Sequence, residues 1–182
     1  MTTAVTSERA VLGGAAPGFS EVAATDGRHY SLSSFGGREV LVLVFLGNGC
    51  PTAKSSEDGL IELQAAYDPR GVGLVAINPN NPYLSPPDTL REMSRRAHAK
   101  GYNFPYLKDP DATLARAYGV TRTPQVCVVD SDRVLRYRGR IFDARDPARV
   151  HRRDLQEAVD DLLSHREVRV PETDAFGCSI VW

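Results

Sequence analysis

Cysteine is scarce in this chain: Cys50, Cys127 and Cys178 are the only three in 182 residues, an odd and widely spaced set. That excludes a disulfide framework and a zinc site, both of which need paired Cys or His at close spacing. The four histidines, His29, His98, His151 and His165, are scattered without ligand spacing, and none is assigned a function. Neither sign of charge dominates. With 22 Lys plus Arg against 23 Asp plus Glu, the formal net charge is −1, so no global field attracts nucleic acid or an anionic membrane. Long apolar runs are missing too: the longest, Val40 to Leu46, is far short of the roughly 20 residues that a membrane-spanning helix needs. The opening MTTAVTSERAVLGGAAP has no basic start and places Glu8 and Arg9 ahead of a Gly-broken apolar segment. It lacks the layout of a secretory signal, and the expected location is cytoplasmic.

What is present fits one compact domain. Hydrophobic residues make up 42% and charged residues 25%, which suits a single core over 1–182, with a flexible lead at 1–15 and a docking tail at 167–182. Ala16 to Phe19, the turn Asp26-Gly27 and Tyr30 to Leu32 read as a small hairpin. Val40 to Phe45 is continuously apolar, as in a strand buried on both faces. Gly47-Asn48-Gly49-Cys50-Pro51 breaks it, and Pro51 suits the first turn of a helix carrying Leu60, Ile61, Leu63 and Tyr67 inward. Gly73 to Ile77 is a second buried strand, so the pair forms a parallel βαβ unit. After the Asn- and Pro-rich loop 78–87, Asp88 is expected to cap a helix with Leu90, Met93 and Ala97 inward and Gly101 at its end. A short extended piece at 104–107, a brief helix after Asp109-Pro110, a hairpin of 125–130 with 134–141, and a helix with Leu155, Ala158, Val159, Leu162 and Leu163 complete the order. The alternating Arg136, Arg138 and Arg140, with Asp132, Asp143, Asp146 and Asp154 interleaved, read as a solvated strand face rather than a nucleic-acid stripe.

Chemistry concentrates at Cys50. It sits where a buried strand gives way to a helix, where unpaired N–H groups and the helix dipole favour a thiolate over a thiol. Lys54, four residues on, adds positive charge to that helix. Cys127, between Val126 and Val128 in a strand, reads as a packed core residue.

The order of motifs resembles the thioredoxin superfold, in its redoxin branch, which includes peroxiredoxins of the alkyl hydroperoxide reductase and thiol-specific antioxidant type. Ala16-Pro17-Gly18-Phe19 resembles the opening A-P-x-F, Cys50-Pro51-Thr52 the peroxidatic C-P-T, and Thr123-Pro124 the cis-proline loop. Pro171-Glu172-Thr173 and Gly177-Cys178-Ser179-Ile180 are similar to the P-E-T-x-x-x-G-C-x-I tail of one group of bacterial redoxins. The resemblance implies an α/β fold, a thioredoxin-like three-layer sandwich with a mixed central sheet flanked by helices and an N-terminal β-hairpin extension. It implies Cys50 as nucleophile, substrate contacts from Gly49, Pro51, Thr52, Thr123 and Pro124, and no metal, flavin or nicotinamide. Arg122, next to the cis-proline loop, is a candidate to stabilise the thiolate and a developing anionic oxygen, the alternative being a solvated loop arginine.

Cys178 lies near the end of a tail that can fold back, and is the candidate resolving cysteine; anchoring the tail by packing is the alternative. The chain departs from its relatives at Gly47, which supplies neither the second cysteine of a C-x-x-C nor the threonine hydroxyl of P-x-x-x-T-x-x-C. The expected function is therefore a thiol-dependent oxidoreductase in which Cys50 attacks a peroxide or disulfide. Cys178 or an external thiol then resolves it, and reducing equivalents come from a thioredoxin-type partner or a small thiol. The competing expectation is a redox-silent thioredoxin-fold binding or accessory module that uses the cis-Pro surface. Neither nucleic acid nor a membrane is an expected partner.

Overall fold

The computed structural model describes residues 9–182. A small antiparallel hairpin comes first, β1 (Val22–Ala23) with β2 (His29–Tyr30). It is shorter than expected: Ala16 to Phe19 forms no strand, although Leu32 N bonds Phe19 O at 2.9 Å and Ala16 N bonds Arg133 O at 2.8 Å, and Phe19 packs into the core. Then follow β3 (Val40–Phe45), α1 (Pro51–Tyr67), β4 (Val72–Asn78), α2 (Leu90–Lys100), β5 (Tyr106–Lys108) and α3 (Thr113–Tyr118). The chain ends with β6 (Arg122–Thr123), β7 (Gln125–Val129), β8 (Leu135–Gly139), α4 (Asp154–Leu163) and β9 (Cys178–Ser179).

The central sheet has the order β5-β4-β3-β7-β8. Strands β3, β4 and β5 are parallel, as a helix between successive strands requires, while β7 and β8 run antiparallel through the Ser131-Asp132 turn. In β3 every residue is buried, because the strand has neighbours on both edges and layers on both faces. The two-residue period sends Val40, Val42 and Val44 against α1, α2 and α4, where they meet Leu60, Met93, Leu155 and Val159. Leu41, Leu43 and Phe45 go to the other face, against Phe19, Phe35, Leu114 and Tyr118. This is the expected three-layer, thioredoxin-like arrangement. Among the described residues no helix is long and apolar enough to cross a membrane.

Several local expectations are corrected. Asp88 does not cap α2; Thr89 does, its Oγ1 accepting from Glu92 N at 3.4 Å, and Asp88 is buried under the first βα loop. Leu90 faces solvent rather than the core. Residues 1–8 of the expected flexible lead lie outside the described residues. The rest of that lead is packed: Ala10 N bonds Ala117 O at 2.8 Å and Gly13 N bonds Leu135 O at 2.8 Å. The arginines of β8 are not simply a solvated face. Arg138 is buried, with its guanidinium on the Ala10 and Tyr118 carbonyls and on Glu172 at 2.8 Å. Arg140 pairs with the buried Asp154 at 2.7 Å.

Those contacts explain where the tail goes. Strand β8 is a sheet edge, and such an edge needs covering. Pro171-Glu172-Thr173 covers it: Arg138 N donates to Pro171 O, Thr173 N to Arg138 O, and Thr173 Oγ1 meets both Tyr137 Oη (2.7 Å) and Arg140 N (3.0 Å). From that anchor the tail crosses to the Thr123-Pro124 loop, where β9 pairs antiparallel with β6 and Thr123 stands opposite Cys178. Further on, Ile180 is buried, Val181 N donates to Asn80 Oδ1 at 2.9 Å, and Trp182 lies over the Arg116 guanidinium at 4.7 Å.

Gly177 permits this closure. Its φ is +148, and a Cβ there would run into the Thr123 carbonyl and lie 3.1 Å from Pro124 Cδ. Gly177→Ala is expected to cost the docked tail about 1–3 kcal/mol. The Ile180 and Val181 amides should then exchange hydrogen roughly tenfold faster or more while core amides are unchanged, whereas unaltered exchange at these two amides would contradict the assignment.

Candidate functional site

Cys50 is the N-cap residue of α1, with extended backbone (φ −82, ψ 117), and Pro51 begins the helix behind it. Its sulfur accepts from Ala53 N at 3.4 Å, one of the amides that the first helical turn leaves unpaired, while the thiol donates to the Thr123 carbonyl at 3.0 Å. The Thr123-Pro124 peptide is cis, as the resemblance implied, and the loop carrying it is held by Gln125, whose Oε1 accepts from Thr121 N (3.0 Å) and Arg122 N (3.3 Å).

The third wall is the tail. Strand β9 sets Cys178 opposite Thr123, whose carbonyl the Cys50 thiol bonds, so the Cys178 thiol and amide lie close enough to the Cys50 sulfur to favour its thiolate. Both cysteines are thiols here, as is Cys127. Their proximity splits the acidities of Cys50 and Cys178. Burial opposes ionisation of Cys50, but hydrogen bonds from the Cys178 thiol, the Ala53 and Cys178 amides and the Thr123 side chain outweigh it, so its pKa falls below the ordinary thiol value. Burial, the shared hydrogen bond and the adjacent Cys50 charge raise the Cys178 pKa to about 11, although Arg145 and the Thr52 amide oppose them. The pair is thus arranged as one acceptor and one donor. The Thr123 hydroxyl is fully buried, has no well-aligned partner, and lies close enough to the Cys50 sulfur to favour its thiolate.

The other candidates fall into place around this centre. Thr52 and Pro124 border it, while Gly49 and Pro51 lie on its exposed rim. Arg122 is positioned elsewhere: it is exposed, and its guanidinium lies 3.4 Å from the Gly177 carbonyl, so it holds the tail from outside rather than facing the sulfur. Lys54 is exposed and contributes nothing resolved to Cys50. Cys127 lies on the opposite face of the sheet, fully buried, with its pKa pushed up to about 12 by burial; it is the core residue expected.

One cluster is not legible in the sequence as part of the site. The Asp88 carboxylate accepts from Asn48 N and Asn78 Nδ2 on one oxygen (both 2.7 Å) and from Asn80 Nδ2 (3.1 Å) and Ser85 Oγ on the other. Asn48 and Asn78 share Tyr106 Oη, and Lys108 Nζ bonds Asn78 Oδ1 and Asn80 O. Burial lowers the Lys108 pKa to about 8 against the pull of Asp88 and Asp109. This network fixes the backbone of the loop that ends in Cys50, and through Asn80 it also grips Val181 of the tail. It explains Gly47 as well. A Cβ at Gly47 would lie 2.7 Å from Asn80 Nδ2 and 3.2 Å from Thr123 Oγ1, so the space a threonine would fill is already taken by polar groups from two other segments. The density of Asn in the 78–81 loop was the only sequence signal.

Beside the thiols a cavity of about 250 Å³ opens between α1 and the β8–α4 loop. Thr52 and Pro124 form its end nearest the cysteines, and Phe142 and Phe176 its apolar walls.

The chain has relatives among known proteins. The chain is similar to the thiol-disulfide oxidoreductase ResA of Geobacillus thermodenitrificans (strain NG80-2), 28% identical over 121 residues, which is 66% of this chain. It spans 64% of that relative's length. Among solved structures it is similar to the hypothetical protein SMc02350 from Sinorhizobium meliloti 1021, with a TM-score of 0.87, 32% identity and 98% of each chain covered. It is also similar to an uncharacterized conserved protein from Geobacillus kaustophilus, with a TM-score of 0.88 and 34% identity over 94% of this chain and 92% of that one. The Redoxin family model matches residues 12–155, from the packed lead to the first turn of α4 and through both sides of the cysteine site. On that match the chain belongs to the Redoxin family, a thioredoxin-like fold shared with thiol-disulfide oxidoreductases.

Proposed function

We propose that this redoxin is a two-cysteine peroxidase in which Cys50 is the nucleophile and Cys178 resolves it. The observation that carries the reading is the placement of Cys178 opposite Thr123, the residue whose carbonyl the Cys50 thiol bonds, with the acidity of Cys50 raised and that of Cys178 lowered. In the first step the Cys50 thiolate attacks one oxygen of ROOH, the O–O bond breaks, and the leaving oxygen takes a proton to give ROH. Cys50 becomes a sulfenic acid, oxidised by two electrons. The Cys178 sulfur then attacks that sulfenic sulfur, hydroxide leaves and takes the thiol proton as water, and a Cys50–Cys178 disulfide remains. An external thiol donor returns the two electrons.

Access favours a peroxide over a polypeptide disulfide. Cys50 is 4% exposed, and the cis-Pro strand edge, where an extended chain would add as a further strand, is occupied by β9. The Thr123 hydroxyl, buried beside the sulfur, supplies the donor that Gly47 lacks. The redox-silent module has no use for a thiol whose acidity is raised by four separate donors.

Peptide mapping by mass spectrometry after one equivalent of hydrogen peroxide tests this cycle. Wild-type protein should lose two thiols and yield a Cys50–Cys178 disulfide; Cys178→Ser should stop at a sulfenic acid on Cys50; Cys127→Ser should behave as wild type. Cys50→Ser should reduce peroxide consumption by at least about a hundredfold. Consumption that survives Cys50→Ser, or oxidation spread evenly over the three thiols, would overturn the reading. If the pair reacts with small disulfides and not with peroxide, a thiol-disulfide oxidoreductase activity like that of the ResA relative replaces it.

Asp88 acts as a positioning residue. Asp88→Asn turns one accepting oxygen into a donor that faces the donors of Asn80 and Ser85, or those of Asn48 and Asn78, at an expected cost of about 1–3 kcal/mol in unfolding free energy. It should also shift the pH at which the peroxide rate reaches half its maximum, because the loop presenting Cys50 relaxes. A loss of stability with an unmoved pH profile would make Asp88 purely structural.

A further inference from the structure

Within the proposed Cys50–Cys178 cycle, the reductant is the unassigned partner, and the cavity beside the thiols has a chemistry that selects one. It is built rather than incidental. Gly59, in the middle of α1, would place a Cβ 2.9 Å from the Phe142 ring, so a residue that costs about 1 kcal/mol in a helix interior is what lets Phe142 lie against the helix and wall the cavity. Phe176, two residues before Cys178, forms another wall, so the segment that delivers the resolving cysteine also shapes the cavity.

The charges on its lining are unequal. Arg140 is neutralised by Asp154, and Asp58 by Lys100. Among the described residues Arg145 and Arg153 have no carboxylate partner; each stacks on a wall ring instead, Arg145 on Phe176 at 5.6 Å and Arg153 on Phe142 at 5.7 Å. Arg145, stacked on Phe176 two residues before Cys178, lies toward the sulfur end of the lining and favours the thiolate form of Cys178. Glu62, which has no cationic partner among the described residues, lines both this cavity and the adjoining hollow under Leu63 and Tyr67, as Arg153 does. At about 250 Å³ the cavity is below the usual range of roughly 300–1,000 Å³ for drug-sized ligands, so it takes a small molecule and not a peptide segment.

We propose that this cavity is the binding site for the reductant of the Cys50–Cys178 disulfide, a low-molecular-weight thiol bearing a carboxylate a few bonds from its sulfur, held by Arg145. The geometry also sets the order of events. Cys178 is the more exposed sulfur and Cys50 the better leaving group. The thiolate RS⁻ attacks Cys178 Sγ, the Cys50–Cys178 bond breaks, and Cys50 leaves with the electron pair as a thiolate. A second RS⁻ attacks the small-molecule sulfur of the mixed disulfide, RSSR leaves, and Cys178 takes a proton from water. Two thiols are oxidised by two electrons in all, and the protein disulfide is reduced by two.

The test uses the full chain oxidised with peroxide, reduced by 3-mercaptopropionate, 2-mercaptoethanol or cysteamine, with rates expressed per thiolate. The carboxylate thiol should be faster than the neutral one by roughly tenfold, the gain of one charge-assisted hydrogen bond, and the cationic one slowest. Arg145→Gln should bring the three rates together, while Arg149→Gln, on the same loop but outside the cavity, should keep them apart. Equal rates in wild type, or a preference that survives Arg145→Gln, would overturn the proposal. A second arm does not depend on redox chemistry: 3-(methylthio)propionate added to the reduced protein should shift the NMR signals of Phe176 and Phe142. Binding without any Cys50–Cys178 disulfide would retain the carboxylate site and reject the peroxidase cycle. A disulfide that forms but shows no carboxylate preference and no such shifts would retain the cycle and reject the site.

Discussion

The pairing of β9 with β6, which sets Cys178 opposite the Thr123 whose carbonyl the Cys50 thiol bonds, joins the tail to the body of the fold, and the acidity of Cys50 depends on it. A buried cysteine is ordinarily a weak acid, as Cys127 shows on the other face of the same sheet. Cys50 is nearly as buried, yet it is driven the other way because donors converge on its sulfur from the first turn of α1, from the cis-Pro loop and from the tail. Removing the tail removes two of those donors together and opens the cis-Pro edge. The acidity of Cys50 and, in the proposed cycle, its resolution and its access to substrate therefore follow from a single docking event.

That docking is secured at both ends by glycines that allow close approach. Gly139 leaves room for Thr173 on the β8 edge, and Gly177 leaves room for the Thr123 carbonyl beneath β9. Between these points the chain carries Phe176 into the cavity, and beyond them Asn80 and Asn81 hold Val181 from the other side. The same Asn80 occupies the space above Gly47, so the Asp88 network sets the position of Cys50 and of the tail at once. Loss of a hydroxyl at position 47 and gain of a docked tail are two sides of one packing arrangement.

The architecture was legible where the signal is local. The apolar run of β3, the Pro51 start of α1 and the periodicity of α4 each specify an element, and their order gives the layers. The site was legible only where motifs carried it: Cys50, Thr123-Pro124 and the Gly177-Cys178 tail. What was misread depends on partners distant in sequence. Asp88 precedes an amphipathic helix and looks like its cap, and only the βα loop folding over it turns it into a buried hub. Arg138 alternates as a solvated strand residue would, until the P-E-T segment covers that edge. For Arg122 the two-residue period already held the answer: with the Thr123 side chain buried toward the sulfur, its neighbour in the strand must point away.

The central claim is that the docked Cys178 makes Cys50 a stronger acid than a free thiol, and thiolate absorbance near 240 nm measures it most directly. In a Cys127→Ser background, the expected result is a first titration step below that of an ordinary thiol, a second near 11, and loss of that separation in Cys178→Ser. Two overlapping steps at or above the ordinary value, unchanged when Cys178 is replaced, would contradict it.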